Sequence, residues 1–122
     1  MPQLIELNTY GSTEGKLTVF EKILPGDIKR AFYIYGVPEE QERAKHGHYT
    51  TWNALIPVAG SCRITVTTTD KTEHTFLLNQ PTQCLILQPG DWHIMDQFSK
   101  DAILLVLSNQ YYDKNDYITE KP

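Results

Sequence analysis

The segment Cys62–Thr68, with the sequence CRITVTT, indicates the fold class because its apolar and polar residues alternate. Cys62, Ile64 and Val66 fall on one face of an extended chain, and an arginine and threonines fall on the other. Alternation of this kind, rich in β-branched residues, is typical of a strand that is buried on one side only. We therefore predict a β-strand here, with its apolar face toward the core.

Further strand-like segments lie on both sides of this one and are separated by turn residues. The candidate strands are Lys16–Ile23, Ala31–Tyr35, Thr75–Leu78, Cys84–Gln88 and Ala102–Ser108. Proline, glycine and aspartate fill the gaps between them, as in Pro25-Gly26-Asp27 and Pro89-Gly90-Asp91. No window shows sustained helical periodicity, and only the tail from Tyr111-Tyr112-Asp113 onward is compatible with a short helix. The regular spacing of turns predicts an all-β sandwich or barrel.

Length and composition limit the remaining choices. The 122 residues, 40% of them hydrophobic, are enough to bury one core, so we expect a single domain spanning residues 1–122. A formal net charge of −4 argues against nucleic acid as a partner. The longest aliphatic run, Ala102–Leu107, is too short to cross a membrane, and the N-terminal sequence lacks a secretory signal pattern. Two cysteines without metal-ligand spacing favour a reduced, cytoplasmic protein.

Two histidines, His46 and His48, are the strongest candidates for chemistry. Residues two apart on a strand share a face, so both imidazoles are expected to point into the same space. Such a pair can chelate a metal ion, or it can act as an acid/base pair near neutral pH. A solvent-exposed pair on an edge strand, without any chemical role, is the third interpretation. The spacing by itself leaves all three open.

The wider spacing resembles the two sequence motifs of the cupin superfamily, whose fold is a double-stranded β-helix of the jelly-roll type. The pair His46 and His48 is followed by Asn53, and His93 comes later, three residues after a glycine. In metal-binding cupins, three histidines and a glutamate hold the ion. The resemblance assigns these positions to the three histidines, with Asn53 in place of the glutamate. A divalent metal at His46, His48 and His93, serving a metal-dependent enzyme, is therefore one alternative.

Most of the chain is similar to one cupin family, the nucleotide-sugar 3,4-ketoisomerases that act on dTDP-4-oxo-6-deoxyglucose. The resemblance rests on the order and spacing of motifs that are individually weak. The motifs are Gly15-Lys16-Leu17 with Glu21, Asp27–Ile34 (DIKRAFYI), Arg43-x-x-His46-x-His48, Pro89-x-x-Trp92, and Ala102–Ser108 followed by Tyr111-Tyr112-Asp113 and Asp116-Tyr117-Ile118. The family implies a jelly-roll homodimer, often with exchanged N-terminal strands, and a site without a metal or other cofactor.

The resemblance implies that the ketone of a dTDP-4-oxo-6-deoxyhexose moves to the neighbouring carbon through an enediol. It assigns the catalytic base to His46 and assistance with proton movement on oxygen to His48. Six further residues are expected to bind the nucleotide-sugar substrate. They are Arg30, Arg43, Phe32, Trp92, His93 and Asn53, with the two arginines suited to the diphosphate. Phe32 stands where the family has a catalytic tyrosine, which leaves open a sugar-nucleotide-binding module or an epimerase of altered activity.

Overall fold

The computed structural model describes residues 1–122 and consists mainly of β-strands, as the alternating pattern predicted. The strands, in chain order, are β1 (Gln3–Glu6), β2 (Thr9–Ser12), β3 (Gly15–Thr18), β4 (Arg30–Tyr35), β5 (Arg43–His48), β6 (Asn53–Ala59), β7 (Cys62–Thr67), β8 (Glu73–Leu78), β9 (Gln83–Leu87), β10 (Trp92–Asp96), β11 (Ile103–Ser108) and β12 (Tyr117–Ile118). One 3-10 turn, Lys114–Asp116, precedes β12.

Ten of the strands form two five-stranded sheets that enclose a shared core. Sheet I has the strand order β1-β9-β6-β11-β4, and sheet II has the order β12-β5-β10-β7-β8. The pairing is antiparallel throughout, and most neighbours within a sheet are distant in the chain. This arrangement is the cupin jelly roll that the motifs predicted. The remaining strands, β2 and β3, form a separate hairpin.

The larger apolar cluster lies between the two sheets. Cys62, Ile64 and Val66 of β7 belong to it, together with Leu104 and Val106 of β11. The alternation in the segment that predicted β7 therefore identified the buried face correctly. A second cluster covers the outer face of sheet I. Its buried members are Leu7, Leu24, Ala54, Ile56, Cys84 and Ile86.

The predicted strand Lys16–Ile23 is wrong in its second half, since β3 ends at Thr18. Lys22 has a φ of 55°, a left-handed conformation that cannot continue an extended strand. Phe20 and Ile23 instead pack against the second apolar cluster. Burial of these large side chains on sheet I thus overrides the local alternation.

The C-terminal tail contains the short helical segment with which its sequence was compatible. Asp113 caps the turn Lys114–Asp116, because its carboxylate accepts a hydrogen bond from the backbone N–H of Asn115. Tyr117 and Ile118 then pair with the end of β5 and so fix the tail against sheet II. No helix of this chain has the length and apolar character needed to cross a membrane.

Candidate active site

A cavity of about 390 Å³ lies between the two sheets, at the end of the sandwich where β4 and β6 begin. Both sheets and the C-terminal tail contribute to its walls. Sheet I supplies Arg30, Phe32, Asn53 and Ser108, sheet II supplies Arg43, His46, His48 and His93, and the tail supplies Tyr112, Asp116 and Tyr117. All residues predicted to form the site, apart from Trp92, therefore line this one cavity.

A β-bulge in β5 sets the direction of the histidines. Ala44 and Lys45 both have positive φ angles, 70° and 58°, and the register with β10 shifts between His93 and Ile94. Positive φ is unfavourable for residues with a Cβ, so the surrounding structure must hold this conformation. The backbone carbonyl of Ala44 lies 3.0 Å from Nδ1 of His46. The bulge thus brings a hydrogen-bond acceptor to the first imidazole.

The two imidazoles stand side by side under a tyrosine ring. The rings of His46 and His48 meet edge to face, with centroids 5.1 Å apart. The ring of Tyr117 lies 4.5 Å from the first and 4.7 Å from the second. Because Nδ1 of His46 faces a carbonyl, that nitrogen carries the proton, and Nε2 keeps its lone pair.

A buried carboxylate, Asp116, lies behind the second imidazole. Its Oδ2 is 3.1 Å from Nδ1 of His48 and also accepts a hydrogen bond from the hydroxyl of Thr51. Its Oδ1 accepts from the backbone N–H of Thr50 at 2.7 Å and from the Thr50 hydroxyl at 2.8 Å. Burial favours a higher pKa for Asp116, but these hydrogen bonds together lower it. Asp116 is therefore ionised and holds the proton of His48 on Nδ1, which leaves Nε2 as the basic atom.

The cavity keeps its histidines neutral near pH 7. Burial lowers the pKa of His46 and of His48, although the Ala44 carbonyl and Asp116 partly oppose this effect. His93 is fully enclosed, and burial lowers its pKa to about 3. Its Nδ1 has no hydrogen-bond partner, and its ring lies 5.2 Å from that of His46. Neutral imidazoles are the form that can accept a proton.

The alternative of a divalent metal at His46, His48 and His93 concerns the arrangement of their ring nitrogens. No group of three or more histidine, cysteine, aspartate or glutamate side chains is arranged to hold a metal ion. Nδ1 of His46 and Nδ1 of His48 face Ala44 and Asp116, so each ring presents Nε2 to the cavity.

Two arginines that line the cavity, Arg30 and Arg43, have charges that are not neutralised within the chain. The guanidinium of Arg30 lies 4.3 Å from the ring centroid of Phe32 and 5.3 Å from that of Tyr112. Neither Arg30 nor Arg43 takes part in any of the ion pairs of the structure. Aromatic contacts fix the direction of a guanidinium without satisfying its hydrogen-bond donors. An anionic group can therefore bind here.

Trp92 lies outside the cavity, which corrects its prediction as a substrate-binding residue. The side chain is buried, and its Nε1 donates a hydrogen bond to the backbone carbonyl of Thr119 at 3.3 Å. Adjacent residues on a strand point to opposite faces. Since His93 faces the cavity, Trp92 faces away from it and anchors the C-terminal tail.

Sequence reasoning missed the carboxylate and the hydroxyls of the site. Asp116 is 68 residues from His48 in the chain, and Ser108 is 55 residues from its partner Asn53. Ser108 and Asp116 both lie in motifs that carried the family resemblance, Ala102–Ser108 and Asp116-Tyr117-Ile118, but no role was assigned to either residue. The pairing of Asp116 with a histidine depends on the contact between β5 and β12, which no local sequence pattern specifies.

Comparisons with known proteins give matches over nearly the whole chain. The family model described as WxcM-like, C-terminal (FdtA) matches residues 1–122. The TDP-4-oxo-6-deoxy-alpha-D-glucose-3,4-oxoisomerase of Aneurinibacillus thermoaerophilus is 34% identical over 120 residues, which are 97% of this chain and 86% of that protein.

Two solved structures are also similar over nearly the whole chain. A 3,4-ketoisomerase from Helicobacter canadensis is 30% identical with a TM-score of 0.91, and the match covers 98% of this chain and 90% of that one. A mutant of the 3,4-ketoisomerase QdtA from Thermoanaerobacterium thermosaccharolyticum, in complex with TDP-4-keto-6-deoxyglucose, is 36% identical with a TM-score of 0.91. That match covers 98% of this chain and 87% of the solved one.

Proposed function

Since this chain belongs to the WxcM-like, C-terminal (FdtA) family, we propose that it catalyses the 3,4-ketoisomerisation of a dTDP-4-oxo-6-deoxyhexose. One observation carries the proposal. Two neutral imidazoles, His46 and His48, face one cavity, and Asp116 supports the second of them. The relatives named 3,4-ketoisomerases cover nearly the whole chain at 30–36% identity.

The proposed reaction moves one proton between neighbouring carbons and one between neighbouring oxygens. A base removes the proton from C3, the C3–H electron pair forms the C3=C4 double bond, and the C4 carbonyl oxygen takes up the displaced pair and a proton. The enediol then loses the proton of its C3 hydroxyl and gains a proton at C4, which leaves the ketone at C3. Substrate and product have the same atoms and the same overall oxidation level. Acid and base groups therefore suffice, and we propose a reaction without a metal or other cofactor.

The carboxylate behind His48 supports a particular division of this work between the two imidazoles. The family resemblance assigned the base to His46, but the base becomes an imidazolium when it takes the proton. Asp116 stabilises that cation at His48, whereas His46 has only the neutral Ala44 carbonyl behind it. We therefore assign proton transfer at carbon to His48 and proton transfer between the oxygens to His46.

Substrate binding follows from the charges and the size of the cavity. A volume of about 390 Å³ lies in the range of small-molecule sites. Arg30 and Arg43 lie on opposite sheets at this cavity and lack carboxylate partners, which suits them to the oxygens of a diphosphate. Phe32 and His93 are then left to contact the sugar. The two cysteines are free and buried, which supports work in the reducing cytoplasm.

We also propose that the protein is a homodimer, as the resemblance implies. The β2–β3 hairpin exposes Tyr10 and Leu17, which are in register with each other and are 64% and 59% exposed. A two-stranded hairpin of this kind is marginally stable without a further packing surface. Tyr33 and Tyr35, stacked on each other, add a second exposed aromatic patch on β4. Mass determination in solution tests this assembly, and a monomer that retains full activity contradicts it.

The experiment that tests the function is an assay with dTDP-4-oxo-6-deoxyglucose in D₂O. We expect a 3-oxo product with deuterium at C4, and deuterium at C3 of the 4-oxo substrate that the reverse reaction re-forms, because the abstracted proton exchanges with solvent. His48→Asn should abolish the exchange at carbon, and His46→Asn should slow formation of the product. His74→Asn is the matched control, since His74 lies on β8 and does not line the cavity.

The outcomes separate the competing functions. Thermal stabilisation by dTDP without any exchange indicates a binding module, and a product epimeric at carbon without ketone migration indicates an epimerase. Stoichiometric metal that is required for turnover indicates a metal-dependent enzyme. The first two results contradict the proposed ketoisomerisation, and the third contradicts a reaction without a metal.

A further inference from the structure

Three polar residues form a row across sheet I. Ser108 of β11 is in register with Arg30 of β4 on one side and with Asn53 of β6 on the other. Side chains directly opposite each other on paired strands point to the same face. All three residues line the cavity, whose other wall carries His46 and His48. A ligand held between the sheets thus has this row on one side and the imidazoles on the other.

The hydrogen bond between Ser108 and Asn53 fixes the orientation of an amide. The Ser108 hydroxyl donates to Oδ1 of Asn53, and both side chains are buried, with residues 2% and 6% exposed. The amide nitrogen Nδ2 of Asn53 makes no hydrogen bond within the chain, although it carries two N–H donors. This nitrogen is not among the fully enclosed atoms that lack a partner, so its donors are open to the cavity. A ligand in the cavity can satisfy them.

The proposed reaction creates a need for such a donor. When the base removes the proton beside the ketone, negative charge develops on the ketone oxygen, and the base lies on sheet II. Phe32, the neighbouring aromatic residue of this wall, has no hydroxyl to donate. The amide of Asn53 lies across the cavity from the imidazoles and needs no reorganisation, because Ser108 already holds it. Prearranged donors of this kind are strong stabilisers of a developing oxyanion.

We propose that Asn53 is a catalytic residue whose amide N–H donates to the enediolate oxygen, and that Ser108 is a positioning residue that holds this amide. The proposal rests on the 3,4-ketoisomerase function proposed above. No bond to Asn53 forms or breaks, and its amide keeps both protons. As the ketone oxygen gains the electron pair, the hydrogen bond from Nδ2 strengthens, and it weakens again when the proton returns to the neighbouring carbon.

The decisive variant is Asn53→Asp, which keeps the shape of the side chain but replaces the donor nitrogen with an acceptor oxygen. We expect kcat to fall about 100-fold or more, the typical loss of one oxyanion donor. The Kd for dTDP should stay within about threefold of the wild-type value, because the nucleotide lacks the reacting sugar. Asn79→Asp, in an exposed turn outside the cavity, is the matched control and should leave kcat unchanged.

Two changes at Ser108 test the positioning role without placing a new charge in the core. Ser108→Ala should lower kcat about tenfold with little change in KM, because the amide becomes free to turn. Ser108→Thr retains the hydroxyl and should restore most of the wild-type kcat. A purely structural role for Ser108 would instead lower the melting temperature and leave kcat per folded molecule intact.

Each result bears on one proposal only. If the wild-type protein fails to turn over the nucleotide sugar, the proposed function fails. If the wild type turns over and folded Asn53→Asp keeps kcat within about threefold of it, the oxyanion role of Asn53 is overturned and the function stands. If Asn53→Asp does not fold, Asn53→Ala and Ser108→Ala decide the matter, and unchanged kcat in either of them overturns the proposal.

Discussion

Nδ1 of His48 lies 3.1 Å from a carboxylate oxygen of Asp116, a residue 68 positions later in the chain. The contact forms because β12 pairs with the end of β5, with Tyr117 opposite His48. Threonine hydroxyls and a backbone N–H hold the carboxylate from its other sides. These contacts fix the orientation of the Asp116 carboxylate, and His48 is the imidazole that it contacts. The proposed roles of His46 and His48 in proton transfer depend on this pair.

Asp116→Asn should lower kcat about 10- to 100-fold, because an amide at this position can donate to His48 and select the wrong tautomer. The acid limb of the kcat/KM profile should also move to lower pH, since Asp116 raises the pKa of His48. Pre-steady-state and steady-state kinetics over a range of pH measure both effects. Asp70→Asn is the control, because Asp70 also accepts hydrogen bonds from threonines but lies outside the cavity. An unshifted acid limb would contradict the role of Asp116.

The wild-type enzyme should remain active below the pH at which an ordinary histidine titrates. Burial lowers the pKa of His46 and of His48 from 6.5, so both imidazoles stay neutral as the pH falls through that value. The kcat/KM profile should therefore have an acid limb with its midpoint below pH 6.5. A midpoint at or above this value would show that the imidazoles are not desolvated.

Folding stability should decrease as the pH falls below 6.5, and His93 should contribute to the slope. Its pKa is about 3 in the folded protein and near 6.5 when unfolded, so the unfolded chain binds the extra proton between these values. The loss approaches about 1.4 kcal/mol per pH unit for this one group. Urea unfolding at a series of pH values measures it, and His93→Gln should give a shallower dependence. Identical slopes for the two proteins would contradict the prediction.

Arg30→Gln and Arg43→Gln should each raise the Kd for dTDP by about tenfold or more, the usual worth of a charge-assisted hydrogen bond. The wild-type affinity should also weaken with added salt, because salt screens the attraction between the diphosphate and the two guanidinium groups that line the cavity. Titration calorimetry with dTDP measures the affinity. Arg63→Gln serves as the comparison, because Arg63 pairs with Asp96 and does not line the cavity. Equal increases in the Kd for all three variants would mean that Arg30 and Arg43 do not bind the diphosphate specifically.

Gly60→Ala should destabilise the fold by about 2–4 kcal/mol, because a Cβ there adds a steric clash to an unfavourable backbone conformation. Gly60 has a φ of +65°, and an added Cβ would lie 2.7 Å from the Cα of Ala102. Gly26 has a similar φ of +74° with nothing within 4 Å, so Gly26→Ala isolates the backbone effect. It should cost only about 1–2 kcal/mol. Thermal unfolding of both variants provides the comparison, and equal losses would argue against the clash.

The sequence predicted much of the site because strand alternation is a local property. The spacing of His46 and His48 placed both rings on one face, and the order of motifs brought Arg30, Asn53 and His93 to the same cavity. The same rule applied to neighbours would have placed Trp92 on the face opposite His93. The resemblance of Pro89-x-x-Trp92 to a family motif predicted instead that Trp92 binds substrate. In the structure Trp92 faces away from the cavity, as the alternation requires.

The ends of the strands and the hydrogen-bond partners of the site residues depend on contacts between distant parts of the chain. The alternation of apolar and polar residues does not specify these contacts. β3 ends at Thr18 because Phe20 and Ile23 pack against the apolar cluster on the outer face of sheet I instead of extending the hairpin. The Ser108–Asn53 pair exists because β11 lies beside β6, 55 residues away in the chain.

The sequence by itself thus determined the all-β class, the inward face of the strands and the two imidazoles that share one cavity. These features depend on a period of two residues, which a chain displays before it folds. Only the tertiary structure decided which imidazole has a carboxylate behind it and which amide faces the cavity. Those choices depend on which strands pair and in which register, since a hydrogen bond requires distances near 3 Å between residues far apart in the chain.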